Sequence, residues 1–291
     1  MRFAAFVAVG AVATVTVVRV ANLHVYPVKS TRGVELTSAV VEPWGLAGDR
    51  RWMVVDDDGR LVTAREEPRL LSVTVRGFGE GELTVTGPHA AALSVSGAHG
   101  EPVHVQVWND VVLARHPSDD ADTWFGKLLE REVRLVWLDD PMRRNVDPRY
   151  GRPGDRVSFA DAVPLHLTAT ASLRLLNDWI ADETELRDEP PPVSPLPMRR
   201  FRPSVVVDTE VPFDEDRWTR LRIGTVAFRA VKRCARCVLT TIDPETLESG
   251  KEPSRTLARH RRWDGKVWFG VNLVPDGIGR ISVGDDLTVL A

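Results

Sequence analysis

Both cysteines of the chain lie in Arg233-Cys234-Ala235-Arg236-Cys237, with Lys232 just before them. Fixed positive charge favours the thiolate, the form that binds soft metals or attacks electrophiles. Three chemistries fit such a pair. A zinc knuckle needs four N, S or O ligands, usually as two paired clusters, and there is no second Cys-x-x-Cys. One histidine pair has finger-like spacing, His99 and His104, but it lies far upstream in a Gly/Pro-marked turn. A thioredoxin-like dithiol wants a helix starting at the first cysteine, whereas the β-branched run Val238 to Ile242 follows here. The third chemistry is a single thiolate holding a metal or cofactor in a basic pocket. Two buried structural thiols are the plain alternative, and local chemistry does not separate these last two.

The pair must be held by its flanks. Thr225 to Val231 reads as a strand running in and Val238 to Ile242 as a strand running out, ended by Asp243-Pro244, so the cysteines are expected on a short connection. Residues 20–30 read as a strand that delivers Lys29 and Ser30, with Ala21, Leu23 and Val25 on one face. Trp52 to Val55 and Leu61 to Ala64 read as strands around the turn Asp57-Asp58-Gly59. Short strands are expected at 71–75, 83–85, 92–95, 103–107, 111–114 and 133–138, with a Ser118-capped helix from Asp119 to about Glu130. Residues 139–155, rich in Pro, Gly, Arg and Asp, read as a surface connection and domain boundary. Beyond it come a strand at 164–168, a helix over about 171–181, an exposed acidic and proline-rich loop over 182–197, and a strand at 204–207. A hairpin at 221–226, a short basic helix at 254–262, and strands at 268–274 and 280–290 follow. The expected class is mainly β with a few helices, its strand spacing typical of a barrel or sandwich: a leader over 1–19, one domain over 20–140 and a second over 150–291.

The 291 residues carry a net charge of −3, which gives no basis for nonspecific nucleic-acid binding. Two cysteines in a chain this long fit a reducing compartment, and a cytoplasmic protein is expected. Phe3 to Val18 is almost uniformly apolar but is about 16 residues long, short of the ~20 a spanning helix needs. Membrane association would have to run through residues 1–18. Apart from His99 and His104, the histidines (His24, His89, His116, His166, His260) show no metal-ligand spacing and read as ordinary surface or core residues.

Five separated motifs in order carry a resemblance: Val25-Tyr26-Pro27-Val28-Lys29-Ser30, Gly48-Asp49-Arg50-Arg51-Trp52, Thr63-Ala64-Arg65-Glu66-Glu67-Pro68-Arg69-Leu70, Arg200-Phe201-Arg202-Pro203 and Arg236-Cys237-Val238-Leu239-Thr240-Thr241-Ile242-Asp243-Pro244. Together they resemble the MOSC family, with its N-terminal MOSC β-barrel domain and MOSC domain, of the amidoxime-reducing and bacterial YcbX type. The resemblance implies a molybdenum cofactor (Mo-molybdopterin) and makes Cys237 its protein thiolate, a soft ligand suited to a metal already held by dithiolene sulfur. It makes Lys29, Ser30, Arg50, Arg202, Ala235, Arg236 and Asn272 cofactor contacts, Ala235 through its backbone only. Ser204 stands where the family commonly has asparagine, and Asn272 where the animal enzyme has tyrosine. Ala162 and Val163 fall where the family uses mostly main-chain contacts. Arg51 reads as solvated, Arg65 as structural, and Cys234 as a structural neighbour.

The implied activity is reduction of N-hydroxylated small molecules. With no flavin or NAD fingerprint and no iron–sulfur cysteine cluster, electrons would come from a separate flavin reductase, ferredoxin or cytochrome-type protein. The alternative is a non-catalytic carrier of molybdenum cofactor or of sulfur on Cys237. Pyridoxal phosphate attaches to the family only through the sulfurases, whose domain for it this sequence lacks. A thiol-redox or zinc module on the two cysteines is the third reading.

Overall fold

The computed structural model describes residues 18–88, 90–190 and 193–291. The leader, with the membrane association hung on it, lies outside the described residues except for Val18 and Arg19, and so do His89, Pro191 and Pro192.

Seven strands close into a barrel: β1 (Val18–Val25), β2 (Leu165–Ala169), β3 (Val205–Asp208), β4 (Arg220–Ile223), β5 (Val226–Arg236), β6 (Lys266–Pro275) and β7 (Asp286–Val289). Their order around the ring is β2-β3-β1-β7-β4-β5-β6, and pairing of β6 back onto β2 closes it. Only β2 and β3 run parallel. Period-2 alternation supplies the inward face. In Arg220-Leu221-Arg222-Ile223 the leucine and isoleucine are buried and both arginines exposed. Leu23, Leu167, Val205, Leu221, Phe228, Val271 and Leu273 share the resulting core.

Between β1 and β2 the chain builds a second body. One sheet orders Trp52–Val55, Arg134–Trp137, Asp110–His116 and Glu101–Val107; another orders Thr74–Phe78, Glu82–Gly87 and Ala90–Ser96. Helix α1 (Asp119–Leu129) starts at Ser118, whose hydroxyl accepts from the Ala121 N–H, and buries Phe125 and Leu129 against Trp52, Leu70 and Leu135. The two bodies interlock: β1 belongs to the barrel although it precedes the second body, and Ser38–Glu42 pairs with Gly279–Ser282 near the other end of the chain.

Several local expectations change. Val238 to Thr241 is a 3₁₀ turn, not a strand. The Thr240 hydroxyl donates to Cys237 O at 3.0 Å and the Thr241 hydroxyl to Val238 O at 2.7 Å, so side-chain-to-backbone bonds override β-branched composition. Cys234 therefore lies within β5 and Cys237 at its end, not on a connection between two strands. Leu61 keeps one isolated bridge to Val55, and residues 68–72 form a 3₁₀ turn beginning at Pro68. Helix α2 (Thr170–Leu186) continues past the expected end, because Glu183 and Thr184 are buried there and Arg187 pairs with Glu183.

Candidate functional site

All eight residues singled out in sequence (Lys29, Ser30, Arg50, Arg202, Ala235, Arg236, Cys237 and Asn272) line one cavity enclosing about 850 Å³, part of it open to solvent. They come from five stretches of chain, and the fold brings each in by a different device.

After β1 the chain bridges Val28 to Trp52 and turns, with the Thr31 hydroxyl donating to Val28 O at 2.9 Å. Lys29 points into the protein and donates from Nζ to Phe159 O at 2.8 Å and to Asp161 Oδ1 at 2.5 Å. Burial pulls the Lys29 ammonium down, with Asp161 opposing. Surrounding protein pushes the Asp161 carboxyl up, but Lys29 with Arg65 and Arg50 outweighs it and holds it below the usual carboxylate range. Ser30 (φ 71°), Arg50 (φ 48°) and Arg202 (φ 52°) all adopt left-handed backbone, which non-glycine residues enter only where surroundings enforce it. Arg50 pairs with buried Asp49, whose other oxygen accepts from the Tyr26 N–H at 2.8 Å. The guanidinium groups of Arg50 and Arg202 lie 4.4 and 4.2 Å from the Tyr26 ring centre. Arg202 donates to Thr31 O at 2.6 Å, and its burial pulls it down to about 10.

The floor is the β2–β6–β5 seam. Asn272 on β6 faces His166 on β2 and Lys232 on β5. Two bulges flank it: an extra residue on β5 between Ala230 and Lys232, and one on β6 opposite Arg233 to Ala235. At the second bulge Gly270 takes φ 73°, and a Cβ there would stand 2.5 Å from Leu167 O and 2.6 Å from His166 Nε2. His166 is buried, with its ring nitrogens 3.2 Å from Phe201 O and Phe269 O. Burial, with Arg236 beside it, holds the imidazole well below its ordinary value, so it is neutral. Arg236 donates to Phe201 O at 2.8 Å and to Cys234 Sγ at 2.9 Å. Cys237 is exposed at the rim.

Sequence reasoning missed Asp161, His166 and Arg144. Arg144 is buried and donates to Ser158 O, Ala160 O and Asp161 O, so it shapes the loop that presents Asp161. Arg65 lines the cavity and contacts Asp161 at 3.3 Å, which goes beyond a structural role alone. Val163 lines the cavity, whereas Ala162 lines a neighbouring cleft. Arg51 is not merely solvated: it stays outside the cavity and caps Leu138 O at 2.6 Å and Asp139 O at 3.0 Å. Ser204 is buried behind Arg50 at 3.5 Å.

The lining fits a polar, anionic group. Five cations (Lys29, Arg50, Arg65, Arg202, Arg236) face one carboxylate, Asp161. Four buried polar atoms of the lining residues have no partner among the described residues: Thr63 Oγ1, Arg65 Nε, Arg236 Nε and Asn272 Oδ1. Such atoms are costly unless something completes them.

A seven-stranded barrel interlocked with a second β body, carrying a basic cleft beside an open thiol, defines a MOSC-type protein. Residues 17–132 match the MOSC N-terminal beta barrel domain and residues 154–288 the MOSC domain, a class associated with molybdenum cofactor binding. The chain belongs to the MOSC family. It is similar to mitochondrial amidoxime reducing component 2 of Rattus norvegicus, at 33% identity over 91% of this chain and 81% of that protein. Mitochondrial amidoxime-reducing component 1 of Homo sapiens is 31% identical over 93% of this chain and 82% of its own. Among solved structures, the YUAD protein from Bacillus subtilis aligns over 93% of this chain and 94% of its own, at 10% identity and a TM-score of 0.42. The mitochondrial names of the relatives lend a cytoplasmic location for this chain no support. Among the described residues no helix is long and apolar enough to cross a membrane.

Proposed function

We propose that this protein is a molybdenum-cofactor oxidoreductase that reduces N-hydroxylated small molecules, with Cys237 as the protein ligand to the metal. The supporting observation is the cavity lining: eight residues expected to serve one cofactor converge there, with excess positive charge and unpartnered polar atoms. Lys29 and Ser30 would hold the terminal phosphate, a point charge beside a hydroxyl. Arg50, Arg202 and Arg236 would hold the pterin side, while Asn272 Oδ1 offers an acceptor and Thr63 a hydroxyl. Neutral His166 supports Arg236 without adding repulsive charge. Cys237 offers its thiol at the open rim, where a small substrate can reach the metal side. The bound cofactor supplies the two-electron chemistry; the chain binds it, orients it and shapes the approach. Electrons would come from a separate protein of flavin reductase, ferredoxin or cytochrome type. The names of the relatives support the amidoxime class of substrate.

The test is protein from a host able to make the cofactor, assayed for molybdenum per chain and for benzamidoxime reduction by a dithionite-reduced viologen dye. Near-stoichiometric metal with turnover is expected. Loaded protein without turnover would sink the substrate assignment. Exposure of Cys237 also suits a sulfur or cofactor carrier, which would show stoichiometric transfer instead.

A further inference from the structure

A second cavity lies behind the first, walled off by Arg202 and Leu239, which line both. Tyr26, lying under the Arg50 and Arg202 guanidinium groups, also lines it. Most of its charges are already matched. Arg32 contacts Glu245 at 2.9 Å and Arg199 contacts its other oxygen at 3.5 Å, while Glu35 accepts from Asn22 at 2.8 Å.

Arg200 is the exception. It is 9% exposed, yet its Nε and Nη1 have no hydrogen-bond partner among the described residues. Asp243 Oδ2 stands 3.9 Å from Nη1, beyond hydrogen-bond reach, and the other Asp243 oxygen accepts the Glu245 and Thr246 N–H groups. His24 Nδ1, on the same lining, is also buried without a partner among the described residues. A buried guanidinium with unpartnered donors, on a residue that lines a cavity together with Arg199 and Arg202, is an arrangement a tetrahedral oxyanion can complete, because the planar fork matches two of its oxygens.

We propose that this second cavity binds a phosphate-class anion, seated on Arg200 with Arg202 alongside. Two sources share that chemistry: the cofactor's own phosphate end reaching past Leu239, in place of the Lys29 and Ser30 seat proposed above, or the phosphate of a separate small molecule. The first source rests on the proposed function; the anion site does not.

The experiment is calorimetric titration of the full chain with inorganic phosphate, in cofactor-free and cofactor-loaded forms. Lys29→Gln marks binding that belongs to the first cavity. Arg200→Gln is expected to weaken a phosphate site that Lys29→Gln leaves intact by about tenfold or more, the loss typical of a charge-assisted hydrogen bond. Arg200→Lys, which keeps a cation but not the fork, should fall between and serves if Arg200→Gln does not fold. Phosphate should also raise the melting temperature of the unsubstituted protein more than that of the folded Arg200 variant. Phosphate affinity and thermal shift unchanged by either substitution would overturn the proposal. Binding that depends on Arg200 and disappears on cofactor loading identifies the cofactor's phosphate as the occupant; binding that persists identifies a separate ligand.

Discussion

Arg236 Nη1 lies 2.9 Å from Cys234 Sγ, whereas the Cys237 thiol, one residue beyond the arginine, is exposed. The two cysteines are therefore not equivalent. One partners a cation inside the strand and the other stands open at the rim.

Cys237→Ala should lower molybdenum per chain, because losing even an outer-sphere partner of a metal typically costs ~10–100-fold in affinity. Cys234→Ser, which keeps an acceptor for Arg236, should retain most of it. Elemental analysis of the purified variants checks this, and equal losses in both would contradict the distinction.

Gly270→Ala should cost more than about 1 kcal/mol, because alanine is strained at positive φ and its methyl group would press on Leu167 O and His166. The displaced seam carries Asn272, so cofactor retention should fall as well. Chemical denaturation and metal content read the two effects separately.

His166 gives acid sensitivity of a definite sign. Its folded value lies well below the ordinary 6.5, so the unfolded chain binds more protons and stability falls as pH drops from 6.5 towards the folded value. Between those two values the slope should approach about 1.4 kcal/mol per pH unit. His166→Gln should flatten it in denaturation series at pH 7.5 and 5.5; identical slopes would show that the imidazole is not held neutral.

Glu215 acts in the opposite direction. It is fully buried, accepts the Ser172 hydroxyl at 2.7 Å, and burial pushes it up from 4.5 to about 7. Between those values the folded state binds more protons, so the stability this group contributes is full below 4.5 and is lost as pH rises to about 7. Glu215→Gln should therefore gain on the unsubstituted protein at pH 8 relative to pH 5, by an amount on the order of 3 kcal/mol. Differential scanning calorimetry at the two pH values decides it, and a constant difference would refute the assignment.

How much could be read beforehand depended on whether chemistry sat in local pattern. Lys29, Arg50, Arg202 and Cys237 lie in motifs, and the cavity gathers them. Asp161 and Arg144 lie in irregular loops, where nothing local distinguishes a cleft acid from a surface one. His166 sits in a plain apolar strand, and only the β6 register shows its proximity to Arg236. The run Val238 to Ile242 misled because composition favours extension while hydroxyl-to-carbonyl bonds favour a turn. Alternation revealed strands, but the ring order and the parallel β2–β3 pair depend on long-range pairing that periodicity does not encode.

Strand β1 sits in the ring between β3 and β7, and Val18 is in register with Leu287. The hoop thus cannot close on a nascent chain until nearly all of it has been synthesised, and its earliest stave must wait for its last. Such long sequence separation makes closure slow relative to local hairpins. A chain severed between the two family regions would leave the barrel a stave short, with the flanks of β3 and β7 bare and open to pairing with other molecules. The turn that presents Lys29 and Ser30 follows directly from that stave, so assembly of the cleft and closure of the hoop are a single event.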